Sequence, residues 1–247
     1  MAQLLVSVRS AAEAIAAMEG MADIVDVKEP NRGSLGCATP QVITEVAAAV
    51  QLRSNAIPPL SLALGELSEW QTSDMSSVRH AITIAQPQFL KLGLSGAGGQ
   101  QNSDSWIDEW QAVRDSIAGA HVWVAVAYAD HAIADSPTVD RVLNAAIETK
   151  CGILLIDTYA KNGTSLLDHL PLKHLHSIRH ETHCRGLKLA LAGRVTLSNL
   201  SLLQTIDADI IAVRGAVCEN GERTSSISRD LVRQFRSTLH SGERVPK

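Results

Sequence analysis

Aromatic residues are scarce: among 247 residues there are four Trp, two Tyr and two Phe. A surface that stacks nucleobases needs several rings on one face, so this composition argues against single-stranded nucleic acid as a ligand. The core must be built from Ala, Val, Ile and Leu, the make-up of buried parallel strands covered by helices. A basic excess is also missing. The 22 Lys plus Arg face 26 Asp plus Glu, a net charge of -4, so no broad positive field draws the chain to nucleic acid or to an anionic membrane. Any phosphate must then be held by a local site. No apolar run approaches the roughly 18 to 20 residues needed to cross a bilayer. The chain opens without the basic and apolar segments of a secretory signal, and its cysteines, Cys37, Cys151, Cys184 and Cys218, form no C-x-x-C pair. Reduced thiols in a cytoplasmic protein are expected. No Pro/Gly/Ser linker, charge block or shift in composition divides the chain, so residues 1–247 are expected to form one domain.

Eight short apolar, β-rich runs are present, at 4–8, 24–27, 60–64, 89–92, 122–128, 153–156, 187–191 and 210–213. Each interval leaves room for one crossover helix, unlike the roughly 8 to 12 residue rhythm of an all-β sandwich. Two intervals show their helices directly. Residues 10–18 start with a capping Ser followed three positions later by Glu, and 40–50 start with Pro, which suits a first helical turn. The polar stretch 67–77 is expected to be a loop or lid. Eight strands alternating with helices in about 250 residues predict an α/β fold, a single-domain (β/α)8 TIM barrel. An open doubly wound sheet would usually carry a Gly-rich phosphate turn after its first strand, where this chain has VSVRSAAE.

Active sites of such barrels lie at the C-terminal ends of the strands, and polar residues recur there. The second run ends in Asp26 and Lys28, the fourth carries Lys91, and the sixth leads into Asp157 and Lys161. Asp26 and Lys28 are two apart and share a face, and an extended chain would put Asp157 and Lys161 on one side as well. All three strands are even-numbered and fill the same layers of a barrel, so three lysines and two carboxylates are expected to converge. A free lysine, with a pKa of about 10.4, is uncharged in only roughly one molecule in 2,500 at pH 7. Crowded ammonium groups and desolvation can bring it to about 7 to 8, which makes it a nucleophile for carbonyl carbon. The structural alternative is a set of salt bridges closing the barrel mouth, and spacing does not rank the three lysines. After the seventh and eighth runs stand Gly193, Arg194, Arg214 and Gly215, where barrels often hold phosphate. Glycines there also serve tight turns.

Other signals carry less. His176, His180 and His183 have helical spacing but precede the seventh strand, away from the catalytic rim, and a solvated helix face is expected rather than a metal site. His131 stands alone beside Asp130. The run Gly96-Ala-Gly98-Gly99 lacks the residues of a P-loop and is expected to be a flexible loop. Cys218 is expected to be a small buried thiol, and Tyr159, between Asp157 and Lys161, a packing residue.

The segments LLVSV (4–8), ADIVDVKEPNRGSLG (22–36), KLGL (91–94), VAYAD (126–130), IDTYAKNG (156–163), LKLALAG (187–193) and VRGAVC (213–218) together resemble the (5-formylfuran-3-yl)methyl phosphate synthase family. The resemblance spans essentially the whole chain, and the D-V-K-x-P-x-x-G-S-L-G block is its most specific part. It implies a (β/α)8 barrel that joins two molecules of glyceraldehyde 3-phosphate into a furan phosphate, a precursor of the furan in methanofuran, and a place in one-carbon metabolism. It also implies a carbon-oxygen lyase acting on phosphates. The catalytic pattern falls on Asp26, Lys28, Lys91, Asp157 and Lys161, with Lys28 as the Schiff-base lysine, and it needs neither cofactor nor metal. Gly193, Arg194, Arg214 and Gly215 would take the phosphates. One departure, Leu62-Ala-Leu-Gly65-Glu66 in place of a smaller Asp-containing stretch, bears on the pocket of the second substrate.

The expected partner is therefore a small phosphorylated aldehyde, with no nucleic acid and no membrane; a homo-oligomer is compatible with every feature. Two other readings fit the same residues: a different class I (Schiff-base) aldolase acting on a related phosphosugar, and a non-catalytic barrel that binds a phosphometabolite.

Overall fold

The structure is a computed structural model that describes residues 1–52, 57–98 and 105–241. Eight strands, β1 (Gln3–Val8), β2 (Ile24–Val27), β3 (Leu60–Glu66), β4 (Phe89–Gly93), β5 (Val122–Tyr128), β6 (Ile153–Asp157), β7 (Lys188–Leu191) and β8 (Ile210–Val213), pair in chain order. All pairs are parallel and β8 closes on β1, giving a single-domain (β/α)8 barrel as the spacing of the runs predicts. Strand ends differ from the expected ones by two residues or fewer.

Alternation along the strands builds two apolar layers. An inner cluster fills the barrel with Leu5, Ile24, Ala63, Val124, Val126, Leu155, Ala190 and Ile210 among others. Their neighbours in sequence, such as Leu4, Val25, Leu62, Ala125 and Leu154, face outward and pack under the helices in a second, larger cluster. The strands are thus buried on both faces, which is why they appear as continuous apolar runs.

Local chemistry starts the helices. Ser10 caps the helix Ala11–Glu19 by accepting from the Glu13 amide, and Thr39 caps the helix Pro40–Gln51. The stretch 67–77 is not a loop. It forms the helix Leu67–Thr72 and the start of the helix Ser76–Ala85. A capping box between Glu66 and Glu69 opens the first, and burial of Leu67 and Trp70 anchors it, with Trp70 Nε1 donating to Leu64 O at 2.8 Å. Only its solvent face is polar, and that face gave the appearance of a loop.

The histidine-rich segment lies on the helix Leu172–Cys184 in the outer layer, where His174 Nε2 sits 3.2 Å from Asp140 Oδ1. Gly96 and Gly98 are tied to the end of the short helix His131–Ala134 after β5, their amides donating to Ala134 O and Asp135 O, so this part of the glycine run is pinned; Gly99 lies outside the described residues. No helix among the described residues is long and apolar enough to cross a membrane.

Candidate active site

Ser7, Asp26, Lys91 and Asp157 are buried polar residues near the C-terminal ends of strands whose other inward residues are apolar. Ser7 and Asp26 are register partners on β1 and β2, and Ser7 Oγ donates to Asp26 Oδ2 at 2.7 Å. Lys91 Nζ lies 2.7 Å from Asp26 Oδ1, an ion pair that spans from β4 to β2. It can cross because the intervening strand presents small residues there: Ser61 is paired with Asp26, and Ala63 with Lys91. Lys28, one residue beyond β2, completes the group and is 9% exposed.

Asp157 and Lys161 also meet, though not by the expected route. The strand ends at Asp157, the chain turns, and Lys161 folds back so that Nζ stands 3.2 Å from Asp157 Oδ1 and donates to Thr158 O. The turn forms because buried Asp130 accepts the amides of Tyr159 and Ala160 at 2.7 and 2.8 Å, a clamp that an extended chain would forgo. Tyr159 packs edge-on against Tyr128, the packing role expected of it.

The loop after β2 explains the G-S-L-G motif atom by atom. Gly33 has φ +109°, which favours glycine. Ser34 Oγ donates to Asp157 Oδ2 at 3.2 Å and to Thr158 O at 2.9 Å, tying this loop to β6. Leu35 enters the inner apolar cluster and its carbonyl accepts the Gly65 amide. A Cβ on Gly36 would stand 2.2 Å from Glu29 O, so no larger residue fits.

Lys28, Lys91, Asp157 and Lys161 line a cavity of about 430 Å³, a size suited to a small metabolite. Its wall continues through Gly193, Arg194, Arg214, Gly215 and Arg223. Among the described residues six basic side chains thus face one carboxylate on the lining, with Asp26 and Glu13 behind them, in a chain whose net charge is -4. Such a concentration of positive charge suits a multiply charged anion.

Burial, joined by repulsion from Lys91 and Lys161 and opposed by Asp157 and Asp26, pulls the Lys28 amine down to about 7. About half of it is then uncharged at neutral pH. Burial would raise Asp157, but Lys161 and Lys28 outweigh it and hold the carboxyl at about 2. Asp26 is likewise held below its ordinary value by Lys91 and Lys28 against the cost of burial.

Of the four residues expected to hold phosphate, all border the cavity, but Arg214 is committed elsewhere. Its five N–H groups go to Arg223 O, Ser7 O, Ser225 O and both oxygens of Glu13. Its side chain therefore fixes the β8 loop against β1 and the helix Ala11–Glu19, a correction to its expected role. Gly193 adopts φ +88° and Arg194 φ +52°, a turn that brings Arg194 beside Gly163. Glu66, the departure at the end of β3, turns away from the cavity: it accepts from Tyr128 Oη at 2.6 Å and from the Ser95 amide, and burial raises its pKa. Its carboxylate occupies the space beside Gly93 where a Cβ would stand. His131 starts the short helix His131–Ala134, and Cys218 is fully buried.

Sequence reasoning missed Ser7 and Arg223. For Ser7 a signal existed, since the alternation of β1 turns Leu5 and Ser7 to the same inner side. Arg223 follows β8 in an irregular loop, where no periodicity marks it.

Comparison with known proteins places these features in a group. A family model described as 4-HFC-P synthase matches residues 4–236. A (5-formylfuran-3-yl)methyl phosphate synthase of Methanococcus maripaludis is 36% identical over 234 residues, covering 94% of this chain and 97% of that protein. One from Archaeoglobus fulgidus is 33% identical over 239 residues, covering 96% and 99%. Among solved structures, a thiamine phosphate pyrophosphorylase from Pyrococcus furiosus matches with TM-score 0.63 over 97% of this chain and 96% of its own, at 13% identity, a likeness of fold alone.

Proposed function

This chain belongs to the 4-HFC-P synthase family, and from that premise we propose that it joins two molecules of glyceraldehyde 3-phosphate into (5-formylfuran-3-yl)methyl phosphate through a Schiff base on Lys28. The observation that carries this reading is the Lys28 amine, brought to about 7 within a cavity rich in positive charge. An uncharged amine attacks the aldehyde and loses water to give the imine. The imine acidifies the adjacent carbon, and the carbon nucleophile so formed joins the two trioses. Elimination and ring closure follow. Two trioses become one six-carbon furan phosphate, one phosphate and two waters, and the water taken out in forming the imine returns when the product is released. The sequence is redox-neutral, so the atoms balance with no oxidant or reductant.

Asp157, low in pKa and hydrogen-bonded by Ser34, is a proton acceptor beside the amine. Asp26 and Lys91 form the pair that fixes charge beneath it. Lys161, anchored on Asp157 and Thr158 O, is placed to steady a developing oxyanion. Gly193 and Arg194 on one side and Gly215 on the other border the space for phosphate, with Arg214 holding the loop behind them.

The test is to incubate the protein with glyceraldehyde 3-phosphate and follow product mass, furan-aldehyde absorbance and free phosphate together. One phosphate released for every two trioses consumed, with a product of the furan mass, is expected. An ordinary aldol product that retains both phosphates would assign the chain to a different Schiff-base aldolase. Binding without turnover would make it a binding barrel.

A further inference from the structure

Arg223 follows β8 at a distance in the chain and has no part in the scheme above, yet its side chain lines the cavity. Among the described residues its guanidinium makes a single hydrogen bond, Nη2 to Gly33 O at 3.0 Å. Four of its five N–H groups remain for a ligand. Burial pulls its pKa below the ordinary guanidinium value, and Asp157 opposes that pull. Its backbone is held firmly: buried Arg214 donates to Arg223 O and to Ser225 O while its other end grips Glu13 at 2.8 Å. A partly desolvated cation with unused donors, set on a braced loop at a cavity wall, is preorganised for an anion.

Its position separates it from Arg194. Arg194 follows β7 and stands against Gly163 in the loop after β6, its Nη1 3.3 Å from where a Cβ on that glycine would be. Arg223 follows β8 and reaches Gly33 in the loop after β2. In the order of the closed barrel, one arginine leans toward β6 and the other leans past β1 toward β2. Two guanidinium groups thus mark different ends of one cavity.

We propose that Arg223 builds a second phosphate subsite, separate from the one beside Gly193 and Arg194, so that the cavity holds the phosphoryl groups of two substrates at once. This deepens the reading of the cavity as a site for two phosphorylated trioses. A phosphate on the free side of the fork leaves the Gly33 bond intact, and so ties the loop after β8 to the loop after β2 when the site is filled.

Inorganic phosphate is the probe, titrated calorimetrically into the full chain. Two phosphates per chain are expected, falling to one in Arg223→Gln and to one in Arg194→Gln. A wild-type count of one, or an Arg223→Gln protein that still binds two with unchanged affinities, overturns the proposal. A purely structural latch on Gly33 would lower thermal stability in Arg223→Gln without altering the phosphate count, which also overturns it. Should Arg223→Gln fail to fold, Arg223→Lys serves: it keeps the charge and loses the planar fork, and a weakening of the second site by about tenfold is expected. Unchanged affinity at both sites in that variant overturns the proposal. The count stands whether or not a furan is made, so its failure is distinct from failure of the proposed reaction.

Discussion

An amine enclosed by Lys91, Lys161, Asp26 and Asp157 feels opposing fields, and at Lys28 burial decides the outcome by penalising the charged form. The uncharged amine is the nucleophile, and it accumulates as pH rises through about 7. The kcat/KM for the triose phosphate is therefore expected to climb through about pH 7 on its acid side. Lys91→Met removes one repelling ammonium and leaves Asp26 without its ion-pair partner, and both changes favour protonated Lys28. In that variant the climb is expected at higher pH, and a pH series of initial rates checks it. Lys28 and its charged neighbours were legible in the sequence because polar residues stand out against apolar strands. Their ranking was not, because it depends on distances such as the 2.7 Å from Lys91 to Asp26 that no spacing encodes.

Each element places its residues by a local device, and the devices can be removed singly. Glu13, three residues after the Ser10 cap, accepts from Arg9 and from Arg214, so one buried carboxylate joins the helix Ala11–Glu19 to the loop after β8. Arg214→Met leaves that carboxylate without its main partner, and a loss of about 3 to 5 kcal/mol is expected in urea unfolding. Ser10→Ala, which removes only the cap, is expected to cost about 1 kcal/mol in the same assay. Gly93→Ala places a Cβ 2.1 Å from Glu66 Oε2 and must displace the carboxylate that Tyr128 holds. A lowered melting temperature is expected, and an unchanged one would show that Glu66 moves freely. The sequence displayed the caps and the strands, but it did not show the helix Leu67–Thr72, whose buried Leu67 and Trp70 are too few to form a periodic pattern. Nor did it show the turn after Asp157, which is imposed by Asp130 from just beyond β5.

At the scale of the whole barrel, closure brings together what the chain holds apart. Ser34 meets Asp157 across 123 positions, and Arg214 meets Glu13 across 201. Strand count follows from the repeat of apolar runs, and the side of the barrel that carries the chemistry from the polar residues at their C-terminal ends. The contents of the irregular loops do not follow, because residues such as Arg223 gain their place only from contacts with distant strands. The full design puts one activatable amine in a pocket of excess positive charge. Its most direct test is reduction with borohydride in the presence of glyceraldehyde 3-phosphate, followed by peptide mapping. A triose adduct on Lys28, absent when borohydride or substrate is omitted, is the expected result; an active preparation in which Lys28 stays unmodified would contradict the account.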